Sequence, residues 1–276
     1  MEINYTDNNN NLNNSNIIKK RERVDKILVQ KYPKFTRRLI QDLIRAGLVV
    51  YRGKTIARPS YAIDIDTEER YLTELEIRQS ESNLRPLYVG RAGGKLRAGI
   101  EHFEVKVKGR SAADVGAGTG GFSDCLLEQG ALRIYTIDVG HGQLAPKLLA
   151  DPRILNYEGI NLKYPFLLPE QVDLLVGDIS FISLRKVVGT IFSLLHTQGE
   201  AILLFKPQFE VGREFLSKRG IVKSERLALT ALHSFIDWFH HEGFPWKVVN
   251  HLPSPILGQE GNQEYLLHFK GIEIKA

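Results

Sequence analysis

Two lysines and two carboxylates lie beside apolar segments, where they could accept a proton or orient a substrate. Lys206 and Asp178 each follow an apolar run, Glu264 precedes one, and Lys95 begins a helical pattern. A partly desolvated lysine can accept a proton, whereas a lysine paired with a carboxylate stays charged and orients a substrate. Transfer of a group to a hydroxyl needs both, so these four residues form a candidate catalytic set.

A glycine-rich turn lies near the first of the apolar runs. Gly116, Gly118 and Gly121 match G-x-G-x-x-G, and Asp138 stands 20 residues after Gly118, as an acid that binds a ribose should. The spacing is compatible with NAD, FAD or the adenosyl group of S-adenosylmethionine and does not choose among them. The candidate cofactor-binding residues are Asp114, Gly116, Ala117, Gly118, Thr119, Gly120, Gly121, Phe122, Asp138, Val139 and Asp178.

The elements that position these residues follow an α/β pattern. Apolar strands alternate with helix-length segments, and a mostly parallel sheet wrapped by helices is predicted from strands at 111–115, 134–137, 154–157, 172–176 and 201–205. Two closing strands, 247–252 and 264–269, are too close in sequence for a crossover helix and should be antiparallel. Ligands of such sheets bind beyond the carboxyl ends of the parallel strands, so the candidate residues should converge on one rim.

Length and composition bound the remaining possibilities. The 276 residues, 43% hydrophobic and 25% charged, suggest about two domains with a buried core. The longest uncharged apolar run, 187–195, is about half of what a membrane span needs, and no secretory signal is found. A single cysteine, Cys125, excludes an intrachain disulfide framework, and the eight histidines show no metal spacing. We expect a cytoplasmic protein without membrane or metal partners.

Positive charge is concentrated near the N-terminus. Residues 19–58 hold thirteen Lys or Arg and three acids, a net charge of +10, so the other residues sum to −5. A basic module joined to a mildly acidic body is typical of a polyanion binder. The predicted organisation is an Asn-rich disordered tail at 1–16, the basic module at 17–79, a linker at 80–89 and the α/β domain at 90–276.

The basic module has its own secondary-structure pattern. Helical spacing predicts a first helix over 20–32 and a second between a cap at Thr36 and a stop at Gly47, followed by a hairpin over 48–56. Arg38, Gln41 and Arg45 should share one face of the second helix. Cations gathered on one surface would contact phosphates and position RNA without reading much of its sequence.

The order of these pieces resembles the S4 RNA-binding domain. The similarity lies in RVDKIL from Arg23, TRR from Thr36, QDLIRAGLV from Gln41, RGK from Arg52 and PSY from Pro59. It implies structured RNA, usually ribosomal, as the partner. The candidate RNA-binding residues are Arg23, Lys26, Arg37, Arg38, Gln41, Arg45, Arg52 and Lys54, together with Arg91 of the α/β domain.

A second resemblance covers nearly all of residues 20–270. RAGGKL from Arg91, DVGAGTGGFSDCLL from Asp114, DVGHGQL from Asp138, DISFISL from Asp178, KPQFE from Lys206 and GNQEY from Gly261 resemble the S4-linked, FtsJ-like ribosomal RNA methyltransferases, also called the haemolysin A or TlyA family. This resemblance implies a seven-stranded, Rossmann-like class I methyltransferase that methylates ribose 2′-hydroxyls of ribosomal RNA, at cytidines, with S-adenosylmethionine. It also implies a catalytic set of Lys95, Asp178, Lys206 and Glu264.

Alternative functions make different demands on the sequence. A membrane-active haemolysin would need a span or a basic amphipathic helix, and an RNA-binding protein with a silent catalytic domain would show a damaged loop or a missing lysine. An NAD oxidoreductase would leave the basic module and the two lysines unexplained.

The chain departs from the family at Gly90-Arg-Ala, where Ser-Arg-Gly is usual, and at Ser217-Lys-Arg-Gly220, where a Gly-Lys-Gly-Gly-like loop is usual.

Overall fold

The computed structural model describes residues 20–33, 35, 37–45, 48–65, 70–77 and 88–272. It divides the chain into two compact units, Met1–Arg78 and Gln79–Ala276. The predicted Asn-rich tail, the helix cap Thr36, the helix stop Gly47 and residues 80–87 of the predicted linker lie outside the described residues. The two units are described in turn.

The N-terminal unit consists of short strands and helices around a small core. Its elements are β1 (Lys20–Arg23), α1 (Val24–Lys31), α2 (Arg37–Arg45), β2 (Val49–Tyr51), β3 (Lys54–Ile56), β4 (Ala62–Ile65), α3 (Arg70–Thr73) and β5 (Leu75–Ile77). Strand β1 pairs with β4, and β2 lies between β3 and β5, with all pairs antiparallel. The predicted hairpin is therefore present, and Ile27, Leu28, Ile40 and Ile44 of the two helices are buried.

The first helix starts later than predicted. Residues 20–23 form an extended strand in register with β4, so the expectation of one helix over 20–32 is wrong at its first turn. The sequence Lys-Arg-Glu-Arg supplies no apolar side chain for a helical face, and pairing with β4 satisfies its backbone instead. The helix begins at Val24, the first fully buried residue of this segment.

The larger unit is an α/β sandwich. Its elements are α4 (Ala92–Phe103), β6 (Ser111–Val115), α5 (Gly121–Glu128), β7 (Arg133–Ile137), α6 (Pro146–Leu149), β8 (Ile154–Tyr157), β9 (Val172–Gly177), α7 (Val188–Phe192), β10 (Leu195–Phe205), α8 (Glu225–His241), β11 (Trp246–Pro253) and β12 (Tyr265–Gly271). The seven strands have the order β11-β12-β10-β9-β6-β7-β8. Six strands run in the same direction, and only β12 runs in the opposite direction, between β10 and β11. This confirms the predicted mostly parallel sheet with an antiparallel closing pair.

Helices cover both faces of this sheet because its strands are apolar on both sides. On one face, Ala113 and Val115 of β6 join a core completed by α7 and α8, with Phe192 and Phe235 fully buried. On the other face, Ala112 of β6 packs with residues of α4 and α5. The result is a three-layer arrangement that fixes the strand ends. Among the described residues, no helix is both long and apolar enough to span a bilayer.

Candidate active site

The four candidate catalytic residues come from three strand ends and one helix. Asp178 directly follows β9, Lys206 directly follows β10, and Glu264 directly precedes the oppositely directed β12. The strand register aligns these ends, because Leu203 pairs with Gly177 and Phe205 pairs with Tyr265. Three charged side chains that are far apart in sequence are thereby brought to one edge of the sheet.

Lys95 is the fourth residue, and α4 carries it to Glu264. The Lys95 Nζ atom lies 2.5 Å from Glu264 Oε2, and each side chain is only 4% exposed. Gly258 makes room for the carboxylate, since a Cβ at that position would lie 2.6 Å from Glu264 Oε1. Burying two charges costs desolvation energy that their attraction only partly offsets, so such a pair is better suited to fixing positions than to stabilising the fold.

Lys206 forms a second lysine–carboxylate pair. Its Nζ atom lies 2.5 Å from Asp178 Oδ1 and donates a hydrogen bond of 2.5 Å to Ser180 Oγ. The side chain is 8% exposed, and Pro207 follows it directly at the start of a short 3-10 helix. The amine is thus held at the end of a buried strand, between a carboxylate and a hydroxyl.

The charge of Asp178 links the two lysines. Burial alone would raise the pKa of this carboxyl, but the ammonium groups of Lys206 and Lys95, with help from Arg91, hold its pKa below the usual range. Asp178 therefore stays ionised in the neutral range and interacts with both amines. Arg91, a candidate RNA-binding residue, belongs to this group of cations around Asp178.

The glycine turn lies against the end of β9. A Cβ at Gly116, whose φ is +76°, would lie 3.2 Å from the Asp178 carbonyl oxygen, so the turn approaches β9 closely only because a glycine stands there. A Cβ at Gly118 would have no atom within 4 Å, so the outer side of the turn is open. Asp138 holds this turn: its carboxylate accepts hydrogen bonds from the amides of Gly118 (2.8 Å) and Gly140 (2.7 Å).

Asp114 is the most deeply buried carboxyl of the site. It accepts a hydrogen bond of 2.6 Å from Ser123 Oγ, while its Oδ1 atom has no hydrogen-bond partner in the described part of the chain. Burial raises the pKa of Asp114 to about 7, and the nearby charges of Asp178 and Asp138 act in the same direction. A buried acceptor without a donor next to an open glycine turn is suited to a ligand that carries positive charge or donor groups.

The other candidate cofactor-binding residues divide by exposure. Val139 is 65% exposed and directly follows Asp138, so it offers an apolar surface beside the turn. Thr119 is exposed as well, whereas the Phe122 side chain is 2% exposed and packs in the core under α4 and α5. Phe122 is thus a core residue at the start of α5, next in sequence to Gly121.

Three residues of this edge were missed by the sequence analysis as functional candidates. Ser180 contacts the Lys206 amine, and Phe181 has a φ of +65° with a side chain that is 91% exposed. A left-handed backbone is rare and costly for an aromatic residue, and such strain is found mostly at functional sites. Phe209 lies 5.6 Å from Phe181 between ring centroids. The motif DISF marks these positions, but neither exposure nor φ can be read from it.

In the N-terminal unit, three candidate RNA-binding residues surround one buried acid. Asp25, whose side chain is fully buried, accepts hydrogen bonds from Arg23 (2.9 Å), Arg37 (3.0 Å) and Gln41 (2.7 Å). Burial by itself raises the pKa of Asp25, but these three donors hold it below the usual range. The arginine side chains remain 42% and 51% exposed, so they connect the core of the unit to its surface.

The remaining candidate RNA-binding residues are surface cations. Lys26 pairs with Glu22 at 3.4 Å and Arg52 with Glu74 at 2.7 Å, while Lys54 is exposed. The side chains of Arg38 and Arg45 lie outside the described residues. Exposed ion pairs of this kind contribute little to stability, so these side chains can exchange a carboxylate for a phosphate at small cost. Among the described residues, no group of three or more His, Cys, Asp or Glu could hold a metal ion.

A seven-stranded sheet with only β12 reversed, helices on both faces and an open glycine turn at its carboxyl edge fits the fold of a class I methyltransferase. Comparison with known families agrees: residues 88–271 match the FtsJ-like methyltransferase model, and residues 22–68 match the S4 domain model. The chain belongs to the FtsJ-like methyltransferase family and carries an S4 domain. Both expected resemblances are confirmed.

Individual relatives cover most of the chain. Hemolysin A of Brachyspira hyodysenteriae is 39% identical over 83% of this chain and 91% of that protein. The 16S/23S rRNA (cytidine-2′-O)-methyltransferase TlyA of Mycobacterium tuberculosis is 34% identical over 90% of this chain and 89% of that protein. A solved structure of a candidate hemolysin from Streptococcus thermophilus shares 33% identity and a TM-score of 0.66, covering 92% of this chain and 89% of the other.

Proposed function

We propose that this protein transfers the methyl group of S-adenosylmethionine to the 2′-hydroxyl of a cytidine in ribosomal RNA. The observation that carries the proposal is the Lys206 amine, held by Asp178 and Ser180 next to the glycine turn. The TlyA relative, similar over 90% of this chain, is named for this reaction. The FtsJ-like family membership supplies the reaction class.

The charges around the glycine turn favour S-adenosylmethionine over a dinucleotide. Asp114, Asp138 and Asp178 are close enough for their charges to affect one another, and among the described residues no cation forms an ion pair with either Asp114 or Asp138. The charge of Asp178 is balanced by Lys206 and Lys95. The Asp138 carboxylate, together with the ionised fraction of Asp114, would repel a pyrophosphate and attract a sulfonium and an ammonium group. Asp138 retains lone pairs for the ribose hydroxyls, and exposed Val139 provides an apolar surface for the adenine. When bound, the cofactor supplies an electrophilic methyl group.

The two lysines have different environments and therefore different proposed roles. Lys95 forms a buried ion pair with the Glu264 carboxylate, and such a fixed charge is suited to orienting the ribose. Lys206 contacts both a carboxylate and the hydroxyl of Ser180, at the edge where Phe181 is exposed. We assign to Lys206 the proton that leaves the 2′-hydroxyl, and to Asp178 the orientation of the Lys206 amine.

The RNA is held in two ways. The S4 unit, with its surface cations, binds folded RNA through phosphates and sets the position of the molecule. A nucleotide stacked in a helix exposes its ribose poorly, so the target has to leave the stack. Phe181, strained and 91% exposed beside Lys206, presents a flat apolar surface on which an extruded base can stack.

Two measurements test this function. Ribose methylation is mapped on ribosomal RNA from cells with and without the protein, and we expect one or more cytidine 2′-O-methyl groups to disappear when it is absent. Calorimetry of the purified protein should show binding of S-adenosylmethionine and none of NAD. Unchanged ribose methylation, or selective binding of NAD, would contradict the proposal.

A further inference from the structure

A short basic hairpin, residues 216–222, lies between Lys206 and α8. Its ends meet in an antiparallel bridge between Leu216 and Val222. Within the turn, the Ser217 amide donates to the Ile221 carbonyl (2.8 Å), the Gly220 amide donates to the Ser217 carbonyl (2.9 Å), and Gly220 has a φ of +72°. Ser217 Oγ also accepts from the Ile221 amide (3.1 Å). These bonds define the conformation of the hairpin.

The basic hairpin is fastened to the loop that holds Glu264. Asn262, which is 3% exposed, accepts from the Val222 amide at 2.9 Å and donates to the Gly220 carbonyl at 3.0 Å. The Asn262 carbonyl accepts from the amide of Gly258, the residue whose lack of a Cβ leaves room for the Glu264 carboxylate. The other end of the hairpin follows from Lys206 through two short 3-10 helices. The hairpin is therefore connected to both lysine–carboxylate pairs.

The tip of the basic hairpin carries two exposed cations, Lys218 and Arg219. Neither side chain has an ion-pair partner in the described part of the chain, in contrast to the cations of the active site. Residues 213–226 hold five Lys or Arg and two acids, a net charge of +3, while the rest of residues 79–276 sums to −2. The hairpin is thus a local positive surface on an otherwise acidic unit, at the edge of the sheet where the hydroxyl reacts.

We propose that Lys218 and Arg219 contact backbone phosphates of the RNA next to the reacting ribose. The inference rests on the proposed function and adds a second RNA-contacting surface, on the catalytic unit itself. Lysine and arginine without protein partners are the usual ligands of phosphate, and an ordered hairpin loses little conformational entropy when it binds. Through Asn262, the contact also fixes the RNA backbone relative to Glu264.

The test compares three double variants in the full-length protein. K218Q/R219Q removes both charges, K218R/R219K keeps them, and K106Q/K108Q removes two exposed charges at the opposite edge of the sheet, in the segment before β6. Fluorescence anisotropy measures affinity for a ribosomal RNA fragment that the wild-type protein methylates, as a function of salt. S-adenosylmethionine binding is measured by calorimetry and methylation by isotope transfer.

We expect K218Q/R219Q to lower the slope of log affinity against log salt by about 2 and the affinity at 0.1 M salt by ~10- to 60-fold. Cofactor binding should be unchanged, and the other two variants should behave as wild type. A wild-type affinity and salt slope in K218Q/R219Q would overturn the inference while the proposed function stands. A wild-type protein that neither binds nor methylates ribosomal RNA would overturn both.

Discussion

The two units of the molecule both bury a carboxylate among cations, in opposite ways. In the N-terminal unit the acid is inside, since Asp25 is fully buried while Arg23 and Arg37 are about half exposed. In the catalytic unit the cations are inside as well: the side chains of Lys95 and Lys206 are 4% and 8% exposed. In the N-terminal unit the buried acid therefore holds exposed arginines in place, whereas in the catalytic unit both members of each ion pair are largely shielded from water.

The two clusters also differ in what their burial costs. An arginine whose guanidinium reaches water keeps most of its hydration, so the Asp25 cluster stabilises at modest cost. A buried lysine loses that hydration, and a hydrophobic pair of similar volume would often be as stable. Retaining two such lysines at one sheet edge is understandable when their amines act on a substrate. Substitutions in the two clusters should therefore affect different properties.

The largest effect is expected at Lys206. Lys206→Ala removes the amine to which we assign the proton of the 2′-hydroxyl, and methylation of ribosomal RNA should fall by ~10²- to 10⁴-fold, the usual contribution of a positioned acid or base. Cofactor affinity should remain within about threefold, because the glycine turn is held by Asp138 and not by Lys206. Single-turnover methyl transfer and calorimetry measure the two quantities.

A matched lysine provides the control. Lys247 is exposed at the start of β11, away from the carboxyl edge of the sheet, and Lys247→Ala should leave methyl transfer unchanged. Full activity in Lys206→Ala would contradict the role assigned to this amine. It would leave Lys95 as the candidate for the same proton.

The lysine–carboxylate cluster could be predicted from the sequence, whereas the Asp25 cluster could not, and the reason is physical. Strand ends could be located because buried parallel strands are nearly continuous apolar runs, and their alignment then brings Asp178, Lys206 and Glu264 together. The Asp25 cluster could not be foreseen, because it depends on how α1 packs against α2. The extended conformation of 20–23 and the left-handed Phe181 are likewise properties of tertiary pairing and of single backbone angles, which leave no periodicity in the sequence.

An intermediate effect is expected at Asp25. Asp25→Asn keeps the shape but removes the charge that Arg23 and Arg37 neutralise, and it should destabilise the N-terminal unit by about 1–3 kcal/mol at pH 7. Because the folded protein lowers the pKa of Asp25, this stabilisation is present above the unfolded pKa near 4 and is lost as the pH falls through the folded value. The difference between wild type and variant should therefore shrink in acid.

Hydrogen exchange of the α1 and α2 amides measures this local stability in the full chain. Asp64→Asn is the matched control: Asp64 pairs with Arg21 at 3.5 Å, but its side chain is 58% exposed, so the change should be below about 0.5 kcal/mol. Equal effects of the two variants would show that burial of Asp25 adds nothing to the unfolding free energy of the N-terminal unit. The buried Asp25 cluster would then stabilise the N-terminal unit no more than an exposed ion pair does.

A smaller change in stability than at Asp25, and one in the favourable direction, is expected at Phe181. Phe181→Gly relieves a φ of +65° and should raise the unfolding free energy by about 1 kcal/mol, while losing a stacking surface should weaken RNA engagement by ~10- to 100-fold. Leu167→Gly is the control, since Leu167 is 78% exposed without a positive φ, and it should lower stability slightly and leave KM for RNA unchanged. A Phe181→Gly variant that gains stability and keeps its KM would mean that the strain serves something other than the RNA. The opposite signs of the two effects, read from one substitution by urea unfolding and by KM, are what mark backbone strain kept for substrate binding.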